Sequence, residues 1–220
     1  MFHWHPGTTT RTPSTWTTGT PTFNSSIKKF GTYSLNLNNT TAADADFVNY
    51  TLASGISAPW TIDFWLYVPT MPAGADNEFI FRMGDVALYA LKELSTTYKV
   101  GFLFYLNGTS GYGPSVAEIT FNEWHHIEVS KASSGTGLIY SFLDGVLDRN
   151  SATNNVILPD EFRLGNYTPG DNDFSFYIDE LRISSSIRHT TTFTPASAAY
   201  TTDANTKFLG HFDNNYTNSA

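Results

Sequence analysis

The chain has 220 residues, with 20 acidic against 12 basic side chains and a formal net charge of −8. This acidic balance, with no basic cluster larger than Lys28-Lys29, argues against binding to a nucleic-acid backbone. The absence of cysteine excludes disulfides, thiolate metal sites and cysteine nucleophiles. No apolar run is long enough to predict a membrane span, and the N-terminus lacks the basic and apolar regions of a signal peptide.

Aromatic residues are abundant and charged residues make up only 15% of the chain, a composition that favours strands and turns over helices. The first 22 residues are rich in Thr, Pro and Gly, and we expect an extended N-terminal arm over 1–22, irregular from residue 7, before a single domain over 23–220. Strand patterns then recur at short intervals, at Tyr33–Leu37, Phe47–Leu52, Trp60–Pro69, Glu78–Arg82, Val86–Leu91 and Lys99–Leu106.

The second half continues this pattern with strands at Trp124–Ser130, Glu161–Gly165 and Thr206–Phe212. Leu138–Leu147 reads as two strands joined by Asp144-Gly145, because both residues of this turn tolerate positive φ. Residues 187–206 are Thr-rich and predicted to be irregular. About a dozen short strands without a clear linker predict one antiparallel sandwich.

The segment Phe174–Ser184 predicts a strand with an acid beside the core. Strict alternation places Asp179 with Leu181 and Ile183 on one face and Ile178 with Glu180 and Arg182 on the other. Such a strand is either covered on both faces or shifted by a bulge near Asp179. In both cases Asp179 needs a partner, because an unpaired buried charge is costly.

Six segments match one known family in order: Lys29–Leu37, Trp60–Tyr67, Glu123–Val129, Tyr140–Leu147, Phe162–Gly165 and Tyr177–Ile183. Together they resemble the laminin-G-like (LamG) group of the concanavalin A-like jelly rolls. The resemblance covers roughly residues 25–185. It implies an all-β, antiparallel two-sheet jelly-roll sandwich.

The chain after residue 186 also resembles a known ending. Ile187–Ala196 and Asp203–Asp213 are similar to the end of LamG-like domains in bacteriophage structural proteins, where a final strand closes the sheet. This likeness implies a non-enzymatic virion protein, a capsid decoration or a tail-fibre adhesion module, whose partners are other virion proteins, copies of itself or a host-surface glycan. The alternative is a carbohydrate-binding, lectin-like module of a surface or secreted protein.

The strands lack the acid spacing of a glucanase. Glucanases on this fold place two Glu on one strand with an Asp between them, as acid and nucleophile. No E-x-D-x-E or E-x-D-x-x-E pattern occurs, and strand alternation separates Asp179 from Glu180. We therefore expect no enzymatic activity.

LamG-like domains often hold a structural calcium ion in loop carboxylates, and the resemblance makes Asp171, Asp173 and Asp179 its candidate ligands here. The alternative is that Asp171 and Asp173 solvate a turn.

For glycan binding, exposed loop aromatics beside an amide are the usual stacking platforms, which indicates Tyr112, Tyr167 and Asn166. The alternative for these aromatics is a loop anchor packed on the sandwich. By contrast, Trp60, Trp65 and Trp124 lie in strand motifs and are predicted to belong to the core.

Overall fold

The fold is all-β throughout the part of the chain that the structure describes. The structure, a computed structural model, describes residues 14–18, 20–39, 47–70, 78–84, 86–92, 100–102, 104–106, 109–112, 119–133, 137–153, 157–165 and 174–220. None of these residues forms a helix that could cross a membrane. In chain order the strands are β1 Ser14–Thr18, β2 Thr22–Asn24, β3 Ser34–Asn39, β4 Phe47–Thr51, β5 Trp60–Tyr67, β6 Glu78–Met83, β7 Val86–Lys92, β8 Val100–Phe102, β9 Phe104–Leu106, β10 Thr109–Tyr112, β11 Trp124–Lys131, β12 Gly137–Leu143, β13 Val146–Thr153, β14 Glu161–Gly165, β15 Phe174–Ser184 and β16 Thr206–Gly210.

These strands form two large antiparallel sheets and a small two-stranded one. The six-stranded sheet has the order β1-β4-β14-β6-β7-β8, and β9 pairs with β10. The eight-stranded sheet has the order β13-β12-β11-β5-β15-β3-β2, with β16 also pairing to β15. The prediction of a two-sheet, concanavalin A-like jelly roll is confirmed.

The core lies between the two large sheets because their strands alternate apolar and polar residues. In β5, Ile62, Phe64 and Leu66 are at most 2% exposed and belong to the core, whereas Asp63 and Trp65 lie on the opposite face. This opposite face of the eight-stranded sheet is called the outer face below.

Aromatic rings join the two sheets. Phe208 of β16 contacts Tyr50 of β4 and Phe162 of β14, with ring centroids 4.7 and 4.9 Å apart, and Tyr50 stacks on Phe162 at 4.8 Å. All three are 1–2% exposed. Each buried ring of this size contributes roughly 1.5–3 kcal/mol of burial free energy. The closing strand predicted over Thr206–Phe212 is thus tied to both sheets.

The predicted turn at Asp144-Gly145 joins β12 to β13, with φ of 51° and 77°. The Asp144 carboxylate also accepts a hydrogen bond from the backbone N–H of His126 and pairs with the His125 ring, both at 2.7 Å. Burial works against ionisation of Asp144, but these hydrogen bonds outweigh it and lower the pKa of its carboxyl. The turn is therefore anchored to β11 as well as closing its own hairpin.

The expectation of an irregular segment over residues 7–22 is wrong for Ser14–Thr18. This segment is β1, which pairs with all five residues of β4 at the edge of the six-stranded sheet. Its Thr-rich sequence has no apolar alternation that would predict a strand. The strand forms because it pairs with the edge of β4, whose backbone groups would otherwise lack partners on that side.

A β-bulge interrupts β15, as one of the two alternatives for this strand predicted. Asp179 pairs with Trp65 and Arg182 with Asp63, so one residue of β5 faces two residues of β15. Glu180 takes up the extra residue with φ of 54°. The strictly alternating faces are therefore wrong beyond Asp179: Ile178, Leu181 and Ile183 all belong to the core.

The Gly145 turn allows a sharp test of how the C-terminal region docks. A Cβ at Gly145 would overlap the carbonyl oxygen of Phe193 and the ring of Pro195, and the positive φ strains any L side chain. We expect Gly145→Ala to lower the free energy of unfolding by roughly 1–3 kcal/mol in chemical denaturation. Val146→Ala, at a 59% exposed neighbour, is the matched control and should change little. Equal effects of the two substitutions would contradict this packing.

Candidate functional site

The outer face of the eight-stranded sheet carries ordered rows of polar and aromatic side chains. Residues directly opposite each other on neighbouring antiparallel strands share a face, so the register of β11, β5 and β15 defines the rows. Each row crosses β11, β5 and β15. In order along β11, the rows are Trp124–Tyr67–Tyr177, His126–Trp65–Asp179, Glu128–Asp63–Arg182 and Ser130–Thr61–Ser184. The first is called the aromatic row and the third the charged row.

Arg182 neutralises Asp63 at the centre of the charged row. Its Nε and Nη2 atoms donate to Oδ1 and Oδ2 of Asp63 at 3.1 and 2.7 Å. Asp63 is fully buried, and burial alone would raise the pKa of its carboxyl. Nearby His126 and the Arg182 guanidinium outweigh burial, so the pKa of Asp63 lies below its usual range. Asp63 therefore stays ionised and holds no proton to donate.

Glu128, the other acid of the charged row, is equally engaged. Ser130 Oγ donates to its Oε1 at 2.8 Å, and Nδ1 of His189 lies 2.8 Å from its Oε2. Glu128 is fully buried, while His189 is about one-third exposed. The His189 ring stacks on Phe193, with centroids 3.5 Å apart and planes 6° from parallel. Glu128 thus holds a residue from beyond the sheet.

That residue belongs to the C-terminal strap, defined here as residues 185–205, which covers the charged row. Its Tyr200 hydroxyl lies 2.7 Å from Nε2 of His126, and the Arg182 guanidinium lies 4.0 Å from the centroid of the Tyr200 ring. Burial raises the pKa of the Tyr200 phenol. Arg188 donates to Ser184 Oγ at 2.8 Å and to Asp203 at 3.0 Å. The strap is therefore attached by polar contacts along its length.

Glu180 adds a further attachment from the bulge. Its Oε2 accepts the backbone N–H of Tyr200 at 2.7 Å, and Nδ1 of His211 lies 2.8 Å from its Oε1. Glu180 is 1% exposed. The bulge directs this carboxylate to the strap and to the residues after β16.

A pocket of about 460 Å³ lies between the strap and the charged row. Its lining includes Asp63, Glu128, Arg182, Arg188, His189 and Asn205. The acids and guanidinium groups of this lining are paired with each other or with the strap, as described above. The pocket therefore offers hydrogen-bonding groups without an unpaired charge among those residues.

Asp179 holds a backbone loop at the side of the same face. Its Oδ2 accepts the N–H groups of Lys29 and Phe30 at 2.8 and 3.1 Å, and the side chain is fully buried. No described residue donates to Oδ1 with ordinary geometry. Burial dominates over these hydrogen bonds and raises the pKa of Asp179 to about 7.

The loop after Phe30 is held by a second aspartate. Oδ1 of Asp213 accepts the backbone N–H groups of Thr32 and Tyr33, the latter at 3.0 Å. Gly31, with φ of 58°, passes so close to this carboxylate that a Cβ would meet its oxygens at 2.5 Å. The Lys29–Leu37 motif is thus fixed by acids from two distant segments.

Of the three predicted calcium ligands, Asp179 lies within the described residues. Asp171 and Asp173 lie outside the described residues, and so do Asn166 and Tyr167. Within the described ranges, no group of three or more His, Asp or Glu side chains could hold a metal ion. Asp179 offers one unpartnered oxygen, whereas calcium requires six to eight oxygen ligands. The calcium site stays a prediction that depends on the 168–173 segment.

Of the residues predicted to bind a glycan, the structure describes the backbone of Tyr112. The backbone of Tyr112 ends β10, so this residue lies in a strand and not in the predicted loop. The prediction that Trp124 belongs to the core is wrong, because Trp124 is half-buried on the outer face. Trp65 is 6% exposed but also lies on the outer face, whereas Trp60 is in the core.

Sequence reasoning missed Asp63, Glu128 and His189 as neighbours. The available signal was local: Asp63 lies between core positions Ile62 and Phe64, and Glu128 lies between Ile127 and Val129. Alternation alone places both acids on the outer face, but it says nothing about which strands are adjacent.

A family model described as Laminin_G_3, of the concanavalin A-like lectin/glucanases superfamily, matches residues 39–192. No curated protein sequence matches the chain.

Several solved structures share the fold. The cellulose induced protein Cip1 superimposes with a TM-score of 0.57 at 12% identity, over 78% of this chain and 88% of that one. An endo-β-1,4-glucuronan lyase from the fungus Trichoderma reesei gives 0.50 at 14% identity, over 76% and 89%. Botulinum neurotoxin type C, whose cell entry is described as dependent on two ganglioside molecules, gives 0.54 at 11%, over 80% of this chain but 44% of the toxin chain. Identities this low show the shared fold alone.

The Arg182–Asp63 pair should contribute strongly to stability. Removing one partner of a buried ion pair leaves an uncompensated charge, so we expect Arg182→Leu to lower the free energy of unfolding by about 3–5 kcal/mol in chemical denaturation. The double variant Asp63→Leu/Arg182→Leu should recover much of this loss, because neither charge of this pair remains. Lys28→Ala, at an exposed lysine, is the control and should cost less than about 0.5 kcal/mol. A double variant no more stable than Arg182→Leu would refute this assignment.

Asp179 should make stability fall as the pH rises. Its folded-state pKa of about 7 exceeds the value near 3.9 of an unfolded chain, so folding favours the protonated form. The contribution of Asp179 is therefore complete below about pH 4 and is lost as the pH rises through about 7. In Asp179→Asn, a neutral amide oxygen still accepts from Lys29 and Phe30. The difference in melting temperature between this variant and the wild type should grow in favour of the variant between about pH 5 and 8. If the melting temperatures of the variant and the wild type differ by the same amount at every pH in that range, the raised pKa is contradicted.

Proposed function

This chain belongs to the concanavalin A-like lectin/glucanases superfamily, and we propose that within it the chain is a non-enzymatic virion protein that contacts glycans. The proposal places it on a phage capsid or tail, as a decoration or fibre adhesion module. Its partners would be other virion proteins, further copies of itself and a host-surface glycan. The single observation that carries the non-enzymatic part is the pairing of both acids in the charged row.

Glu128 and Asp63 lie directly opposite each other on adjacent central strands, so both acids share one face of the sheet. A glycosidase, however, requires one protonated carboxyl group beside one carboxylate. Arg182 holds Asp63 ionised, and Ser130 and His189 occupy both oxygens of Glu128. Asp179 is the acid with a raised pKa, but it is fully buried and already binds two backbone N–H groups.

The virion location is supported by the segments that resemble the ending of phage LamG-like domains. Ile187–Ala196 lies within the C-terminal strap, and Asp203–Asp213 spans the strap end, β16 and the carboxylate that holds Thr32 and Tyr33. These residues are therefore integral to the domain, so their likeness to phage proteins concerns its packing and not a detachable tail. If the location is instead a cell surface or the extracellular space, the chain would serve there as a lectin-like module.

Glycan contact is supported by other proteins that share this fold. A glucuronan lyase and a toxin described as interacting with gangliosides share it, and both names refer to saccharides. The strap pocket and the aromatic row offer hydrogen-bonding and stacking groups on one face of this chain.

We expect the purified protein to bind polysaccharide without cleaving it. Incubation with glucans and with polyglucuronate should release neither reducing ends nor unsaturated uronates, because both oxygens of each acid in the charged row are already engaged in hydrogen bonds. The matched control is Glu128→Gln, which should behave like the wild type in both product assays. Product release by the wild type that Glu128→Gln abolishes would overturn the non-enzymatic reading.

For the location, mass spectrometry of purified phage particles should detect the chain in stoichiometric amounts.

A further inference from the structure

The aromatic row is not part of the core. Trp124, Tyr67 and Tyr177 lie directly opposite one another on β11, β5 and β15, with ring centroids 5.5 and 5.7 Å apart. All three rings are half-buried. The inward faces of the same strands already supply core residues such as Leu66 and Ile178, so the sandwich itself does not require aromatic side chains here.

Uncharged polar groups extend the row at both sides. Tyr177 pairs with Asn36 of β3, and Asn36 pairs with Thr22 of β2, so the row crosses five adjacent strands. On the other side, the Tyr67 hydroxyl donates to Oδ1 of Asn122, which lies in the turn before β11. The row therefore combines three rings with amide and hydroxyl groups.

The polar contacts of the row are long. Tyr67 to Asn122 and Asn36 Nδ2 to Thr22 Oγ1 are both 3.3 Å, and Ser175 Oγ to Asn36 Oδ1 is 3.5 Å. Hydrogen bonds at the upper limit of the distance range are weak. Exchanging them for the hydroxyl groups of a ligand would cost little.

The charge of the row distinguishes it from the strap pocket. Its five strand residues and Asn122 are Trp, Tyr, Asn and Thr residues, so the row contains no acidic or basic side chain. In the next row Asp179 is fully buried and bound to backbone N–H groups, and the Lys29 ammonium lies over the Trp65 ring, 3.8 Å from its centroid. Two rows away each charge of the charged row is paired. A ligand at the aromatic row therefore meets apolar ring surface and neutral hydrogen-bonding groups.

We propose that the aromatic row is a binding site for a neutral saccharide, running across the strands from Trp124 toward Thr22. The proposal rests on the glycan-contact part of the proposed function and gives it a place and a ligand class. The C–H faces of a sugar ring pack on aromatic surface, and its hydroxyl groups exchange hydrogen bonds with Asn36, Asn122 and the tyrosine hydroxyls.

Ring geometry limits how the ligand lies. The planes of Trp124 and Tyr67 are tilted by 52° and those of Tyr67 and Tyr177 by 83°, so the row is corrugated and not a flat platform. Such a surface suits a short, bent segment that stacks on one ring at a time. It does not suit the flat face of a crystalline polysaccharide.

The test measures binding of neutral gluco-, manno- and galacto-hexasaccharides, with an oligouronate as the charged comparison, by titration calorimetry. We expect a neutral hexasaccharide to bind, and Trp124→Ala and Tyr177→Ala each to weaken binding roughly tenfold or more. Tyr140→Ala is the matched control, because Tyr140 is half-buried on β12 opposite Ser130 and outside the row. Thermal melting confirms that each variant is folded.

A conservative variant covers the case in which the alanine variants fail to fold. Trp124→Phe keeps the ring, so binding should persist, while the change in tryptophan fluorescence on saccharide addition should be reduced or lost.

Four results would overturn the inference. Unchanged affinity for the neutral saccharide in folded Trp124→Ala and Tyr177→Ala would refute the aromatic row and leave the proposed glycan contact intact. Binding of the oligouronate alone would refute the neutral ligand class. The aromatic row could instead join two copies of the chain. A dimer in sedimentation that dissociates to monomers in Trp124→Ala would show this and would also overturn the inference. Failure of all saccharides to bind would reject the glycan contact itself along with this site.

Discussion

The extra residue at Glu180 is the constraint on which the rest of the outer face depends. Without it, Leu181 and Ile183 would change faces, and the long central strand could not bury its apolar residues in the core. With it, Asp179, Glu180 and Arg182 all serve the outer side, where each has a separate task. Asp179 holds the Lys29 loop, Glu180 holds the strap and Arg182 neutralises Asp63. One local break in alternation thus separates a dry core from a polar layer.

The polar layer fastens the C-terminal region to the sheet. Burying acids in a sandwich is costly unless each has a partner, and Glu128 and Glu180 find theirs in the strap and in the residues after β16. The His189 ring, the backbone N–H of Tyr200 and the His211 ring supply these partners, so the same contacts satisfy the buried acids and attach the C-terminal region. These carboxylates therefore serve to attach the C-terminal region. The binding surface that we propose is the aromatic row on the same face of the sheet.

Much of the fold could be predicted from the sequence because its strands alternate cleanly. The Asp144-Gly145 hairpin, the strand positions and the closing strand with Phe208 all follow from local patterns of turn residues and apolar spacing. The errors arose where local pattern is uninformative. β1 has no apolar alternation, and the aromatic residue type of Trp124 predicts a core position, although this residue alternates with His126 and Glu128 on the outer face.

The sequence by itself determined the sandwich class, the two alternatives for β15 and the need of Asp179 for a partner. Only the tertiary structure decided what that partner is, namely the backbone N–H groups of residues 150 and 149 positions earlier in the chain. The same holds for the rows, since Trp124, Tyr67 and Tyr177 become neighbours only through the strand order β11-β5-β15. Strand alternation is a property of one segment, whereas register and strand order depend on the packing of many. A binding row across strands therefore cannot be read along any one of them.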